Sequence, residues 1–193
     1  MNNILIDYYI VTFFSAKKEY RSLSNFWEND IIIENENKDR IYESGEHCFH
    51  GEKYIRLSEL SNDKDRKHIL LDYGITFIKP SIYKTSSIAK KMGGKKGFIL
   101  NSDELKKLDL ISIDIQRNIC KWKIDNYEEV RTDLKKSKNK ILIHPAMRCS
   151  LDKIDNKIWE GRAKIIDNEI IIYGRNLLGN IWMEYRDLLI FTK

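Results

Sequence analysis

The chain has 193 residues, enough for one domain with a sizeable core; with 42% hydrophobic and 33% charged residues, 9 Gly and 2 Pro, it is neither collagen-like nor low-complexity. The 34 Lys and Arg outnumber the 29 Asp and Glu and leave a net charge of +5. That surplus favours a phosphate-bearing partner but, without a localised patch, is no nucleic-acid signature, and the many Lys, Ile and Asn residues suit an A/T-rich genome equally well.

In chain order, the β-branched and aromatic run from Tyr8 to Phe14 predicts a strand. Ser22 to Glu28 is irregular and aromatic. Asp30 to Glu34 and Arg40 to Tyr42 predict a hairpin around the polar residues 35–39. Ser44 is placed to cap a helix over Gly45 to Leu60, and Asp63 to Asp72 is a charged helical segment. Thr76 to Tyr83, around Pro80, is a loop; Ser86 to Met92 is a short helix stopped by Gly93-Gly94. The longest predicted helix runs from about Ser112 to Lys135, with Ile115, Ile119, Trp122 and Val130 on one face. Its lysine-rich end, Lys135 to Lys140, is solvated, and Ile141 to Ile143 is a short strand ending before Pro145. Ala163 to Ile166 and Glu169 to Tyr173 flank Asp167-Asn168 as a tight hairpin. A last helix places Leu178, Ile181, Trp182, Tyr185 and Leu189 at helical spacing. No repeat or linker divides the chain, so the expectation is a single α+β domain over residues 1–193, helices packed around short strands and hairpins.

The segment from Ser44 to Tyr54 carries the densest chemistry. On a helix, Glu46 shares a face with Phe49, His50 and Lys53, at offsets of three, four and seven. The helix dipole favours an ionised carboxylate in the first turn, suited to activating water or steadying positive charge on a ribose during C–N cleavage. Taken alone, the same segment reads first as a surface helix with an ordinary i, i+7 Glu/Lys pattern. His47 and His50 have no convincing third ligand, so no metal is expected. Met92 to Gly97 lacks the spacing of a phosphate loop and reads first as a helix stop, with Gly and Lys residues able to hold a phosphate. Asn176 sits where backbone N–H groups opening a helix can take an anion, or simply caps the turn. Trp159 offers a ring for stacking, against the commoner role of core tryptophan.

The three cysteines, Cys48, Cys120 and Cys149, form no CxxC pair and fit free thiols in a reducing compartment. No window approaches the length of a membrane span, and the N-terminus lacks the pattern of a signal peptide. The expectation is a cytoplasmic protein without membrane contact.

Short segments, in matching order along the chain, resemble the YbiA/NADAR family. Phe13-Phe14-Ser15 and Leu23-Ser24-Asn25-Phe26-Trp27 are similar to its opening elements. Ser44-Gly45-Glu46-His47-Cys48-Phe49, followed by Lys53-Tyr54, resembles its S-x-E-H-x-F helix. Ala89 to Gly93, Lys121-Trp122, Trp159-Glu160-Gly161 and Asn176-Leu177-Leu178-Gly179, with Met183 and Arg186 beyond, look like the rest. The resemblance spans about residues 13–189.

This resemblance implies a compact α+β fold and hydrolysis of N-glycosidic bonds, in riboflavin-pathway intermediates or in ADP-ribose attached to guanine of DNA. It implies a small ribosyl or ADP-ribosyl substrate, nucleic acid as partner if the substrate is modified DNA, and no cofactor. Glu46 is then the catalytic carboxylate. Asn25 and Phe26 shape the ribose side, Lys53 meets phosphate or orients Glu46, and His47 and Phe49 join the binding face. Trp159, Gly161, Asn176 and Gly179 frame the ligand. The chain departs from the pattern at Asn156, where members carry Asp; Asp155, one position earlier, is the candidate second catalytic carboxylate. Glu160, Arg162, His144-Pro145 and the stretch from Ala146 to Lys153 are further departures. Two rival classes stay open: a non-catalytic ADP-ribose or NAD-type nucleotide binder, and a nucleic-acid binder using Lys135, Lys136, Lys138 and Lys140 as a stripe.

Overall fold

The computed structural model describes residues 8–36, 38–147, 149–167 and 169–191. Its elements are β1 (Ile10–Thr12), a 3-10 turn (Arg21–Leu23), β2 (Ile31–Ile33), β3 (Arg40–Tyr42), α1 (Gly45–Glu59), α2 (Lys64–Ile75), α3 (Ser86–Gly93), α4 (Ser102–Asn126) and α5 (Glu128–Ser137). There follow β4 (Ile141–Ile143), α6 (Leu151–Ile154), β5 (Arg162–Ile166), β6 (Glu169–Tyr173) and α7 (Leu177–Phe191). This is an α+β fold. The described residues group into two compact units, 25–125 and 8–24 with 126–191.

In the unit of residues 25–125, β2 and β3 pair antiparallel, Ile31 opposite Tyr42 and Ile33 opposite Arg40. The chain then enters α1 through Ser44, whose Oγ accepts the His47 N–H at 3.3 Å. An amphipathic surface helix buries one stripe, but α1 is buried almost all round. Its polar residues therefore need partners within the protein. Glu52 shows the solution: its carboxylate takes Arg40 Nε at 2.7 Å, Arg40 Nη2 at 2.9 Å and the Tyr42 hydroxyl at 2.6 Å. That fork locks β3 onto α1; burial pushes the Tyr42 hydroxyl pKa up, and the bond to Glu52 holds the Arg40 guanidinium above its usual range. Tyr42, Cys48, Tyr54, Leu57, Leu70, Phe77, Ile115 and Ile119 form the core of this unit.

The helix expected over residues 112–135 is instead two helices. α4 starts at Ser102 because Asn101 and Glu104 cap it reciprocally: Asn101 Oδ1 accepts the Glu104 N–H at 2.9 Å and Glu104 Oε2 accepts the Asn101 N–H at 2.8 Å. It ends at Asn126, where Tyr127 turns extended (φ −125, ψ 117) before α5 begins.

In the other unit, β1 and β4 run parallel, Ile10 beside Ile141 and Thr12 beside Ile143. The strand expected over Tyr8 to Phe14 is shorter than predicted, although Phe13 still donates its N–H to Ile143 at 3.1 Å. Phe13, Leu23, Val130, Leu134, Leu142, Ile181 and Trp182 are buried. The Trp182 indole N–H reaches the Leu23 carbonyl at 2.9 Å, and Arg186 Nη1 reaches the Lys140 carbonyl at 2.6 Å, tying α7 to two distant loops. The hairpin β5–β6 pairs Arg162 with Tyr173 through Ile166 with Glu169; Asn168 of its expected turn lies outside the described residues. Among the described residues, no helix is long and apolar enough to cross a membrane.

Candidate functional site

Helical spacing brings Glu46, His50 and Lys53 onto one face of α1, and all three are buried. Glu46, only 9% exposed, holds Oε2 3.4 Å from His50 Nε2. Its backbone N–H, one of the unpaired donors of a helix start, is taken by the Asn25 carbonyl at 3.0 Å. Burial lowers the His50 pKa, the bond to Glu46 opposing, so the ring is driven toward its neutral form. The other ring nitrogen, Nδ1, is buried and has no hydrogen-bond partner. The ring packs directly on Gly93, where any Cβ would overlap it.

Lys53 completes the row. Its Nζ donates to the Gly93 carbonyl at the end of α3, where the helix dipole favours a cation, and stands 4.2 Å from the Tyr54 ring centroid. Burial lowers its pKa to about 7, with the Glu46 carboxylate opposing. The α1 face therefore brings together a carboxyl group, an imidazole driven toward its neutral form and an amine whose pKa burial lowers to about 7.

His47 points elsewhere. Its Nε2 meets the Tyr83 carbonyl at 2.7 Å, so that nitrogen carries the proton and Nδ1 accepts the Ser44 hydroxyl at 2.8 Å. Ser86 in turn donates to Ser44 Oγ at 2.9 Å. This buried relay fixes the first turn of α1 and leaves His47 both ring nitrogens engaged within the protein.

Asn25 pairs its side-chain amide reciprocally with Gln116 of α4, at 2.8 and 3.1 Å. It thus positions the α1 N-terminus through its backbone and α4 through its side chain. Phe26, beside it, carries the Lys90 ammonium 5.2 Å from its ring centroid. Phe49 is half-buried and meets His50 edge-on at 5.4 Å. Gln116, Ser86 and the Tyr83 carbonyl had no local signal in the sequence; they matter only because the fold delivers them to α1.

The remaining predicted residues belong to the other unit. Asn176, at φ 46, donates through Nδ2 to the Leu142 carbonyl at 2.8 Å and accepts the His144 N–H at 3.0 Å. Gly179 brings α7 against the Leu142 carbonyl so closely that a Cβ would overlap it. These two residues act as a staple between α7 and β4. Gly161 bridges to Pro145 and, with Ile10, Ile143, Ala146 and Arg162, lines a cavity of about 240 Å³. Trp159 is half-buried, its carbonyl accepting the Leu178 N–H at 3.4 Å. Asp155 ends α6 and is exposed.

The segment from Met92 to Gly97 turns its carbonyls to Tyr73, Lys53 and Tyr54, as a helix stop does. A larger cleft of about 560 Å³ lies at Asp63, Arg66, Asn101 and Glu104, away from the Glu46 face; there Arg66 forks onto Glu104 at 2.6 and 2.8 Å. Among the described residues, no group of three His, Cys, Asp or Glu side chains is arranged to hold a metal ion.

Comparison with solved structures finds a fold similar to that of the E. coli protein YbiA, determined by NMR. The TM-score is 0.56 at 18% identity, over 94% of this chain and 85% of that one. No family model matches the sequence, and no curated protein does.

Proposed function

We propose that this protein is an N-glycosidase hydrolysing the ribosyl C1–N bond of a phosphorylated, ribosylated substrate, with Glu46 as its catalytic carboxylate. The observation that carries this reading is the buried row Glu46–His50–Lys53, opening a helix whose first turn is fixed by Asn25 and Ser44. A carboxylate held there steadies the cationic ribose that develops as the bond to the base breaks. Water adds to C1, the bonding pair leaves with the base nitrogen, and Glu46 accepts the proton that water loses. His50, driven by burial toward its neutral form, lies 3.4 Å from the carboxylate, and Lys53 contributes a second group able to exchange a proton near pH 7. Likeness to the YbiA fold supports the reading at the level of architecture. The substrates it favours are a riboflavin-pathway type ribosylaminopyrimidine phosphate and an ADP-ribosyl base, on DNA in the second case.

The exposure of Asp155 favours a second reading, a binder of ADP-ribose or a similar nucleotide that keeps the fold without a second carboxylate. One experiment separates them. Wild type and Glu46→Gln are incubated with ribosylaminopyrimidine phosphates, NAD and ADP-ribosylated guanine DNA, and base release is followed. Release by wild type alone supports the enzyme; binding without release by either protein supports the binder.

A further inference from the structure

The hairpin β5–β6 is a two-stranded sheet, so among the described residues the outer edge of β6 has no neighbouring strand. Natural proteins blunt such an edge with Pro, a bulge or charges within the strand. β6, Glu-Ile-Ile-Ile-Tyr, has an unbroken apolar centre, and its two-sided exposure is unusual: Ile171 is 37% and Ile172 38% exposed, on opposite faces. Among the described residues, no backbone–backbone hydrogen bond leads from residues 170–172 out of the hairpin.

From these features we infer that β6 is an interface that pairs antiparallel with β6 of a second copy of this chain. The sequence of the edge is self-complementary about Ile171. With Ile171 on the two-fold axis, Ile170 comes opposite Ile172 of the second copy, and Glu169 opposite its Tyr173. Tyr173 already carries a cation on the same face: Lys164 Nζ lies 5.9 Å from its ring centroid. Neither Lys164 nor Glu169 makes an ion pair among the described residues. Antiparallel pairing brings the Glu169 carboxylate beside the Lys164 ammonium and Tyr173 of the second copy, once at each end of the interface. A parallel pairing would set like charges in register. The result is a four-stranded sheet in which each β6 becomes central and its half-exposed isoleucines gain neighbours. Five residues a side is a small contact, so the association is concentration-dependent rather than permanent.

Sedimentation of the full chain over a range of concentrations tests this, with circular dichroism as a check on folding. Wild type is expected to pass from monomer to dimer. Ile171→Lys, which sets two ammonium groups on the axis, and Glu169→Lys, which faces Lys164, should each hold the chain monomeric while its helical signal is kept. The double exchange Lys164→Glu with Glu169→Lys restores the opposite charges and should restore the dimer. A wild type that stays monomeric throughout, or a dimer that survives Ile171→Lys, overturns the inference, as does a double exchange that stays monomeric.

Discussion

The carboxylate of Glu46 stands 3.4 Å from His50 Nε2, one helical turn along α1, with both side chains out of bulk water. Burial drives the His50 ring toward its neutral form, so the contact sets a carboxyl group beside an imidazole that gives up its charge readily. Replacing it with an amide preserves shape and the contact to His50 but removes the charge. Glu46→Gln is therefore expected to slow base release by roughly 10²- to 10⁴-fold while leaving ligand affinity within a few-fold. Single-turnover assays beside equilibrium binding check this, and equal turnover by the two proteins would remove Glu46 from the mechanism.

Lys53 makes stability depend on pH with a definite sign. Its pKa is about 7 in the folded chain and 10.5 in the unfolded one, so between those values the unfolded chain binds more protons. Stability from this group rises with pH across that window and is lowest below it, where an ammonium must be buried. Lys53→Met should abolish that rise and be more stable than wild type at pH 6, since the Gly93 carbonyl keeps the Tyr54 hydroxyl at 3.1 Å. Urea midpoints from pH 6 to 10 give the measurement. His50, also lowered by burial, adds a slope of the same sign below 6.5 that the variant retains.

Glu52 is the anion of a buried fork. Glu52→Ala strands the Arg40 guanidinium and the Tyr42 hydroxyl, and a loss of about 3–5 kcal/mol is expected from breaking such a pair. Chemical denaturation reads the loss; a change under about 1 kcal/mol would show that water replaces the carboxylate.

Asn176→Ala leaves the Leu142 carbonyl and the His144 N–H without their side-chain partner and places alanine at a positive φ. A loss of about 2–4 kcal/mol is expected. Trp182, buried in the same unit, is the fluorescent reporter.

Asp155→Asn tests whether a second carboxylate takes part in base release. An exposed carboxylate at the end of α6 predicts turnover within about twofold of wild type. A loss comparable to that of Glu46→Gln would instead make it the second catalytic carboxylate.

Local rules were sufficient for much of this chain. Ser44 as a capping residue marks the start of α1, Gly93-Gly94 the stop of α3, and the strand-like runs flanking Asp167 the last hairpin, because caps and turns are short-range chemistry. The i, i+4, i+7 spacing of Glu46, His50 and Lys53 likewise puts them on one face of any helix they share. Spacing is silent on whether that face meets water or protein. Packing buried it, drew the Lys53 amine to the Gly93 carbonyl and lowered its pKa, and gave Asn25 its partner Gln116, 91 residues away. Packing also bound the side chain of Asn176 to β4, work that a turn residue in isolation gives no hint of. Desolvation and long-range hydrogen bonds depend on which distant segments arrive at a side chain, and a linear pattern carries no record of that.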